Sequence, residues 1–338
     1  MSGPDRQDPA DLVAAPGAHA VATALQLAGQ AMELAGLAAA AAGYALGSKA
    51  VATRRAYRSD WAHFTRWCSA MQQQALPCEP TTLALYLTAH APTLSVATLQ
   101  RRLASISQAH QAEGLPSPVR VPPVPKVWAG IVRAHHRPPT RKAPLVVEAM
   151  RACLDQLDDT SRGRRDRCLL LLAWGGALRR SEVVALQTTD CRVVAEGLVL
   201  TVRRSKTDQV GAGRQIGLPY GRRADYCPVR AYEAWAPALG LRERPLFAAI
   251  SDGGRLSARA LTDKQVARLV KRVASAAGLE GDYSGHSLRA GFATAAAAAG
   301  ASERAIMAQT GHRSLLIARG YIRPASLFLD NAAAIAAL

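Results

Sequence analysis

"CRVVAEGLVLTVRRSKTDQVGAGRQIGLPY", residues 191–220, decides the fold. Short runs of Val, Leu, Ile and Thr are separated by two turn signals, one at Glu196-Gly197 and one from Thr207 to Gly213. Such runs suit a pleated, half-buried surface, so the segment reads as an antiparallel sheet whose third strand lies near Gln215 to Leu218. It is the only convincing sheet signal in the chain, and helical patterns surround it on both sides. A lone antiparallel sheet among helices is not a doubly wound nucleotide fold. Neither G-x-G-x-x-G after a strand nor a G-x-x-x-x-G-K-[ST] loop is present. Neither ATP nor NAD is expected, and no cofactor site is assigned.

Immediately upstream, "GGALRRSEVVALQTTD" (175–190) breaks the chain at Gly175 and Gly176, and Leu178, Glu182, Val183 and Leu186 suit a short helix. Before it lie a helix over about Leu145 to Leu157 and a nearly continuous apolar one around Arg167 to Trp174. Downstream, helices are expected at about Pro228 to Pro237 and Asp263 to Ala277. The latter opens with Thr262 followed three residues on by Gln265, the pattern of a capping box.

The N-terminal half has a different grammar. Tyr57, Trp61, Phe64, Cys68 and Met71 recur at steps of four and three, the stripe of an amphipathic helix with Arg54, Arg55, Arg58 and Arg66 off the stripe. Further helices are expected from Pro80 through Leu87, from about Ser95 through Leu99, Leu103, Ile106 and His110, and from about Pro123 to Ala134. The pattern stops at "RAHHRPPTRKAP" (133–144), where prolines stiffen and extend an arginine-bearing segment. The organisation is therefore a leader (1–47), a helical domain (48–134), a basic linker (135–144) and a second domain (145–338).

The chain carries 42 Lys+Arg against 25 Asp+Glu, a formal charge of +17, and most of the cations are arginines. Residues 1–47 hold only Arg6 against Asp5, Asp8, Asp11 and Glu33, which leaves 41 basic and 21 acidic residues in the body. A body so basic points to a polyanionic partner. The leader is acidic, alanine-rich and interrupted by Gly29, Gly36 and Gly43, and its role is not legible. The six cysteines (Cys68, Cys78, Cys153, Cys168, Cys191, Cys227) have no C-x-x-C pair, which argues against a zinc site and a disulfide framework and fits a reducing cytoplasm. No signal peptide or membrane span is expected.

The chemistry concentrates in "HSLRAGFATA", residues 286–295. His286 and Arg289, three apart on one helix, emerge on the same face and can touch one object together. Alone, the pair reads more readily as a helix cap and a surface charge. Beside it stand Arg179 in "GALRRSE", Lys206 in "SKTDQ", His312 in "TGHRS" and Tyr321 in "ARGYIR". In order and spacing these six, with Glu182 three after Arg179, resemble the active-site set of the tyrosine recombinases, the phage-integrase family.

The resemblance, which covers residue 48 to the end, implies an N-terminal four-helix core-binding (SAM-like) domain followed by an α+β catalytic domain, mainly α with a small antiparallel sheet. It implies site-specific cleavage and rejoining of double-stranded DNA through a 3′-phosphotyrosine intermediate, with neither metal nor ATP. Arg179 and Arg289 would clamp the phosphate, Tyr321 would be the nucleophile and Lys206 the general acid. His286 would assist proton removal, His312 would hydrogen-bond the phosphate and Glu182 would orient its neighbours. Arg54, Arg58, Arg101, Arg102, Gln108, Arg137, Arg141 and Lys142 are the expected DNA contacts. The family also implies a tetramer on paired recombination sites, assembled through the apolar tail after Tyr321. The acidic leader departs from the basic arm-binding domain of many phage integrases. The alternatives are a type IB topoisomerase, which uses a similar residue set, and a DNA-binding protein without catalysis.

Overall fold

The computed structural model describes residues 30, 32–41, 43, 44, 47–137, 142–203, 213–240, 242–251, 253–312 and 314–322. The chain divides into two compact units, Met1–Pro139 and Thr140–Leu338.

In the first unit, α1 (Val51–Ala70), α2 (Pro80–His90), α3 (Val96–Ala112) and α4 (Val124–His135) enclose one core. The local signals act as the residue types dictate. Pro80 opens α2, where its missing N–H costs nothing, and the Ser95 hydroxyl accepts the Thr98 N–H at 3.2 Å to cap α3. Phe64, Leu83, Tyr86, Leu87, Leu99 and Ile106 are fully buried, whereas Met71, at the end of the α1 stripe, lies just past the helix and is exposed. The same interior holds a polar network. Arg101 Nε and Nη2 donate to the two oxygens of buried Asp60 at 2.7 and 3.1 Å, and Arg102 Nη1 donates to Tyr86 Oη at 2.7 Å. Of the leader, residues 32–41 are helical and exposed.

The second unit runs α5 (Val147–Asp155), α6 (Ser161–Gly175), α7 (Arg180–Ala185), β1 (Cys191–Val194), β2 (Gly197–Val202), β3 (Arg214–Pro219) and α8 (Pro228–Trp235). It continues with β4 (Ala248–Ile250), β5 (Leu256–Ala260), α9 (Asp263–Ala276), α10 (Gly285–Ala298), α11 (Glu303–Thr310) and α12 (Leu315–Ile322). The expected sheet is present, antiparallel and ordered β1-β2-β3, with Leu200 opposite Ile216 and Val202 opposite Arg214. Ile216 and Leu218 alternate inward on β3 and meet α6, whose Cys168 to Ala173 run is buried on all sides.

A second antiparallel pair, β4 with β5, corrects the expectation of a single sheet. Its strands, "AAI" and "LSARA", have little β-branched or aromatic content, so period-2 patterning gives almost no signal there. The fold is thus mainly α with small antiparallel sheets.

A close backbone approach positions the site. A Cβ at Gly291 on α10 would stand 1.8 Å from the Leu145 carbonyl oxygen, so glycine lets α10 lie directly on the backbone that enters α5. The Leu145 N–H donates to Ser287 O at 2.9 Å across that contact. All six cysteines are free thiols. Among the described residues, no helix is long and apolar enough to cross a membrane.

Candidate active site

The site begins where α6 ends. After Gly175 and Gly176 the chain turns through Ala177, held at φ +46°, and buried Leu178 anchors the reversal. Arg179 then occupies the N-cap of α7 in an extended conformation. Glu182, one turn in, satisfies the helix start by accepting the Arg179 N–H on Oε2 at 3.0 Å. Its Oε1 takes Arg179 Nη1 at 2.6 Å, and its Oε2 takes Arg214 Nη2 at 3.0 Å. Glu182 is only 2% exposed, so this carboxylate is a buried anion shared by two arginines.

Facing it is the N-terminal turn of α10. The Ser284 hydroxyl accepts the His286 N–H at 3.3 Å, and the Ser287 hydroxyl in turn accepts the Ser284 N–H at 2.9 Å. The cap fixes the phase of the helix, and with it the directions of His286 and Arg289. Arg289 is 2% exposed. Its Nη1 donates to the Ala177 carbonyl at 2.6 Å, which ties the strained turn to α10, while its Nη2 is buried with no hydrogen-bond partner among the described residues. Burial first, and then the positive neighbours Arg179 and Arg214, lower the Arg289 pKa to about 10, so the group stays cationic at neutral pH.

The third wall comes from the end of the chain. Gly311, left-handed at φ +65°, terminates α11 and turns His312 back toward the site. The Thr310 hydroxyl donates to Ile306 O at 2.7 Å, which leaves its oxygen to accept from His312 Nδ1 at 2.9 Å and Nε2 as the open nitrogen. Tyr321, on α12, stacks on the His312 ring at 5.6 Å with an interplanar angle of 11°. Its hydroxyl is 2.7 Å from His286 Nε2.

Both imidazoles are held neutral. Desolvation, then Arg289 and Arg179, then His286 and Arg214 push the His312 pKa down to about 4. Desolvation of its ring, then Arg289, Arg180 and Arg179 lower that of His286, although one edge remains open to solvent. The region thus holds four arginines (Arg179, Arg180, Arg214 and Arg289), one carboxylate, two neutral histidines and a phenol from the same chain. It is a concentration of positive charge with a phenol at its edge. Among the described residues, no group of three or more His, Cys, Asp or Glu side chains could hold a metal ion.

The model of the phage integrase family matches residues 145–326, the segment that carries every one of these groups. The chain belongs to that family, the tyrosine recombinases. It is 35% identical over 290 residues to an integrase/recombinase xerD homolog of Selenomonas ruminantium, an alignment covering 84% of this chain and 85% of that protein. It is 26% identical over 280 residues to the recombinase cre of Escherichia phage P1, covering 76% and 79% of the two chains. Among solved structures, it resembles the XerH site-specific recombinase bound to palindromic difH substrate, with TM-score 0.55 and 19% identity over 76% of this chain and 72% of that one.

Within this tyrosine recombinase, the structure brings Arg179, Glu182, His286, Arg289, His312 and Tyr321 together. Lys206 lies outside the described residues, on the connection between β2 and β3, and so does Arg141. Sequence reasoning missed Arg214, the Ala177 carbonyl and Thr310. Arg214 and the Ala177 carbonyl act through contacts between distant segments, and Thr310 acts through a short-range contact with His312 that no residue-type pattern marks.

The expected DNA contacts divide. Arg54, Arg58, Arg101 and Arg137 are exposed and Gln108 is partly so. Arg101, however, is held bidentate by Asp60, and Lys142 is paired with Asp282. Arg102 is a correction: it is 8% exposed, and its guanidinium turns inward to Tyr86 and His63. It cannot reach a groove without dismantling that core.

Proposed function

We propose that this chain is a site-specific DNA recombinase that cuts and rejoins duplex DNA through a phosphotyrosine ester. The observation that carries the reading is the 2.7 Å contact between Tyr321 Oη and His286 Nε2 beside a buried, half-partnered Arg289. A phenol is a weak nucleophile at neutral pH, and a neutral imidazole at that distance can take its proton as the oxygen attacks phosphorus.

In this reading Arg179 and Arg289 receive the nonbridging oxygens, whose charge grows as a fifth oxygen approaches. The new bond joins Tyr321 Oη to the 3′-phosphate. The bond to the 5′-oxygen breaks, and the departing oxygen takes a proton from Lys206. His312, neutral beforehand, gains affinity for a proton when the phosphate charge arrives, and its open Nε2 can then donate to the phosphate. The free 5′-hydroxyl of a partner strand reverses the step, conserving bond energy without ATP or metal.

The helical unit is the expected core-binding domain. Arg54, Arg58, Gln108 and Arg137 are its best placed contacts with DNA, and the paired Arg101 and Lys142 and the linker's Arg141 remain in the proposal with them. Binding through several such cations falls steeply with salt. Assembly into a tetramer on paired sites would use the tail, residues 323–338, which lies outside the described residues. Truncation before Phe328 should leave single-strand cleavage partly intact and abolish cooperative assembly.

The test is capture of protein on a nicked duplex library with a randomised core, followed by strand exchange on the selected sites. The wild type should form an SDS-resistant adduct that Tyr321→Phe does not form, and paired selected sites should give four-way intermediates. Relaxation of any supercoiled plasmid without exchange would instead indicate a topoisomerase. DNA binding with no adduct would indicate a protein that only binds.

A further inference from the structure

Arg214 is a charged group at the site that the reading above does not use. It opens β3 directly after the β2–β3 connection, paired in the ladder with Val202. Its guanidinium spans two elements. Nη2 reaches Glu182 Oε2 on α7 at 3.0 Å, and Nη1 reaches the Gln309 carbonyl, near the end of α11, at 2.8 Å. Gln309 is itself pinned, its Nε2 donating to the Gly175 carbonyl at 2.8 Å. The space for this crossing exists because residue 311 is glycine: a Cβ there would stand 2.5 Å from Arg214 Nη1. One planar fork therefore joins the strand beside the Lys206 connection, the carboxylate of the first arginine and the turn that presents His312.

The charge arrangement gives the fork a purpose beyond support. If Glu182 faced Arg179 alone, the two would form a closed i,i+3 pair, and the carboxylate would compete with any phosphate for that arginine. With Arg214 on the other oxygen, one negative charge is divided between two cations, and Arg179 keeps part of its field for an incoming anion. A lysine would not substitute, because a single ammonium lacks the fixed geometry to hold a carboxylate and a carbonyl on separate elements.

We propose that Arg214 is a positioning residue of the strand-cleavage site, fixing the His312 turn to α7 while sharing the charge of Glu182 with Arg179. The proposal rests on the recombinase reading and is tested so that the two can fail separately. Single-turnover adduct formation on a nicked duplex is measured for the wild type, Arg214→Gln, Arg214→Lys, Glu182→Gln and the Glu182→Gln/Arg214→Gln double variant. Each is accompanied by half-saturation of DNA binding and the thermal unfolding midpoint.

Arg214→Gln should cleave about 10- to 100-fold more slowly per bound, folded molecule, the scale of misplaced reacting groups. Arg214→Lys should recover only part of that. The double variant should lose less than the product of the single losses, since Arg214 acts through Glu182. A brace whose charge did not reach the site would not move the titration of His312, which is surrounded by Arg289 and His286 from α10, Arg179 from α7, Arg214 from β3 and Tyr321 from α12. Removing one of these cations should raise its apparent pKa, measured by NMR in Arg214→Gln.

Wild-type cleavage rates in Arg214→Gln, or multiplicative losses with an unmoved His312 titration, would overturn the proposal. If Arg214→Gln does not fold, Arg214→Lys takes its place, and a full wild-type rate there has the same force. A folded, DNA-bound wild type that forms no adduct overturns the recombinase reading and this proposal with it.

Discussion

Two buried carboxylates in the second unit each hold a pair of arginines, and what surrounds them differs. Asp166 on α6 takes Arg165 Nη2 at 2.6 Å and Arg272 Nη2, from α9, at 2.7 Å, and Arg165 also donates to the Ala248 carbonyl at 2.9 Å. Glu182 takes Arg179 at 2.6 Å and Arg214 at 3.0 Å. Around Asp166 the pairing joins α6, α9 and β4. Around Glu182 there is a third, deeply buried arginine, Arg289, whose Nη2 has no partner among the described residues. Two histidines kept neutral first by desolvation and then by that excess of positive charge stand beside it. A desolvated cation without a counter-ion is costly, so in the function proposed above the second cluster takes an anion from outside, while the arginines of the first are all paired.

The sharpest way to break this comparison is to remove one member of each cluster. Arg289→Gln should lower single-turnover strand cleavage by about 10²–10³-fold or more, as loss of a preorganised oxyanion donor does elsewhere. It should leave the unfolding midpoint unchanged or raised, because repulsion among the arginines is relieved. Asp166→Asn should do the reverse. Breaking a buried pair costs about 3–5 kcal/mol, and here the loss falls mainly on Arg165, since Arg272 is largely in solvent. Chemical denaturation should show that loss, with cleavage per folded molecule preserved. Equal effects of the two substitutions on both readouts would erase the distinction.

An intermediate effect is expected from anions. Sulfate binding to the native state should raise the thermal midpoint of the wild type and of Asp166→Asn by similar amounts, and should raise that of Arg289→Gln much less. A uniform shift across the three proteins would mean that the arginines around Glu182 hold no special anion site.

The smallest effect is in the pH dependence of stability. Because the folded-state pKa of His312 is depressed from 6.5 to about 4, the unfolded chain binds the proton more readily throughout that interval. The stability associated with neutral His312 is complete above about pH 6.5 and is lost as pH falls toward 4. The wild-type midpoint should therefore decline more steeply across that window than the midpoint of His312→Asn. Parallel profiles would show that neither burial nor the neighbouring cations hold the histidine neutral.

Particular residues show what was legible from sequence and what was not. The α1 stripe, the Ser95 and Thr262 caps and the hairpin at Glu196-Gly197 are local signals, and local rules find them. The β4–β5 pair escaped because alanine, serine and arginine do not advertise a strand. Arg102 was read as a groove contact by its charge, yet it lies three residues after Leu99 and four before Ile106, on the face those residues bury. Spacing could have placed it inside.

At the site, the catalytic candidates were found as residue types in a recurring order. Arg214 was not, because its meaning depends on Glu182 and Gln309, 32 and 95 positions away along the chain.

The central claim is that Arg179, His286, Arg289 and His312 serve one phosphate attacked by the phenol of Tyr321. The most direct measurement is mass spectrometry of the proteolysed protein–DNA adduct formed on a nicked duplex. A nucleotide joined through its 3′-phosphate to the Tyr321 peptide is the expected product. An adduct on any other residue, or none from a folded protein bound to DNA on which exchange proceeds, would contradict the account.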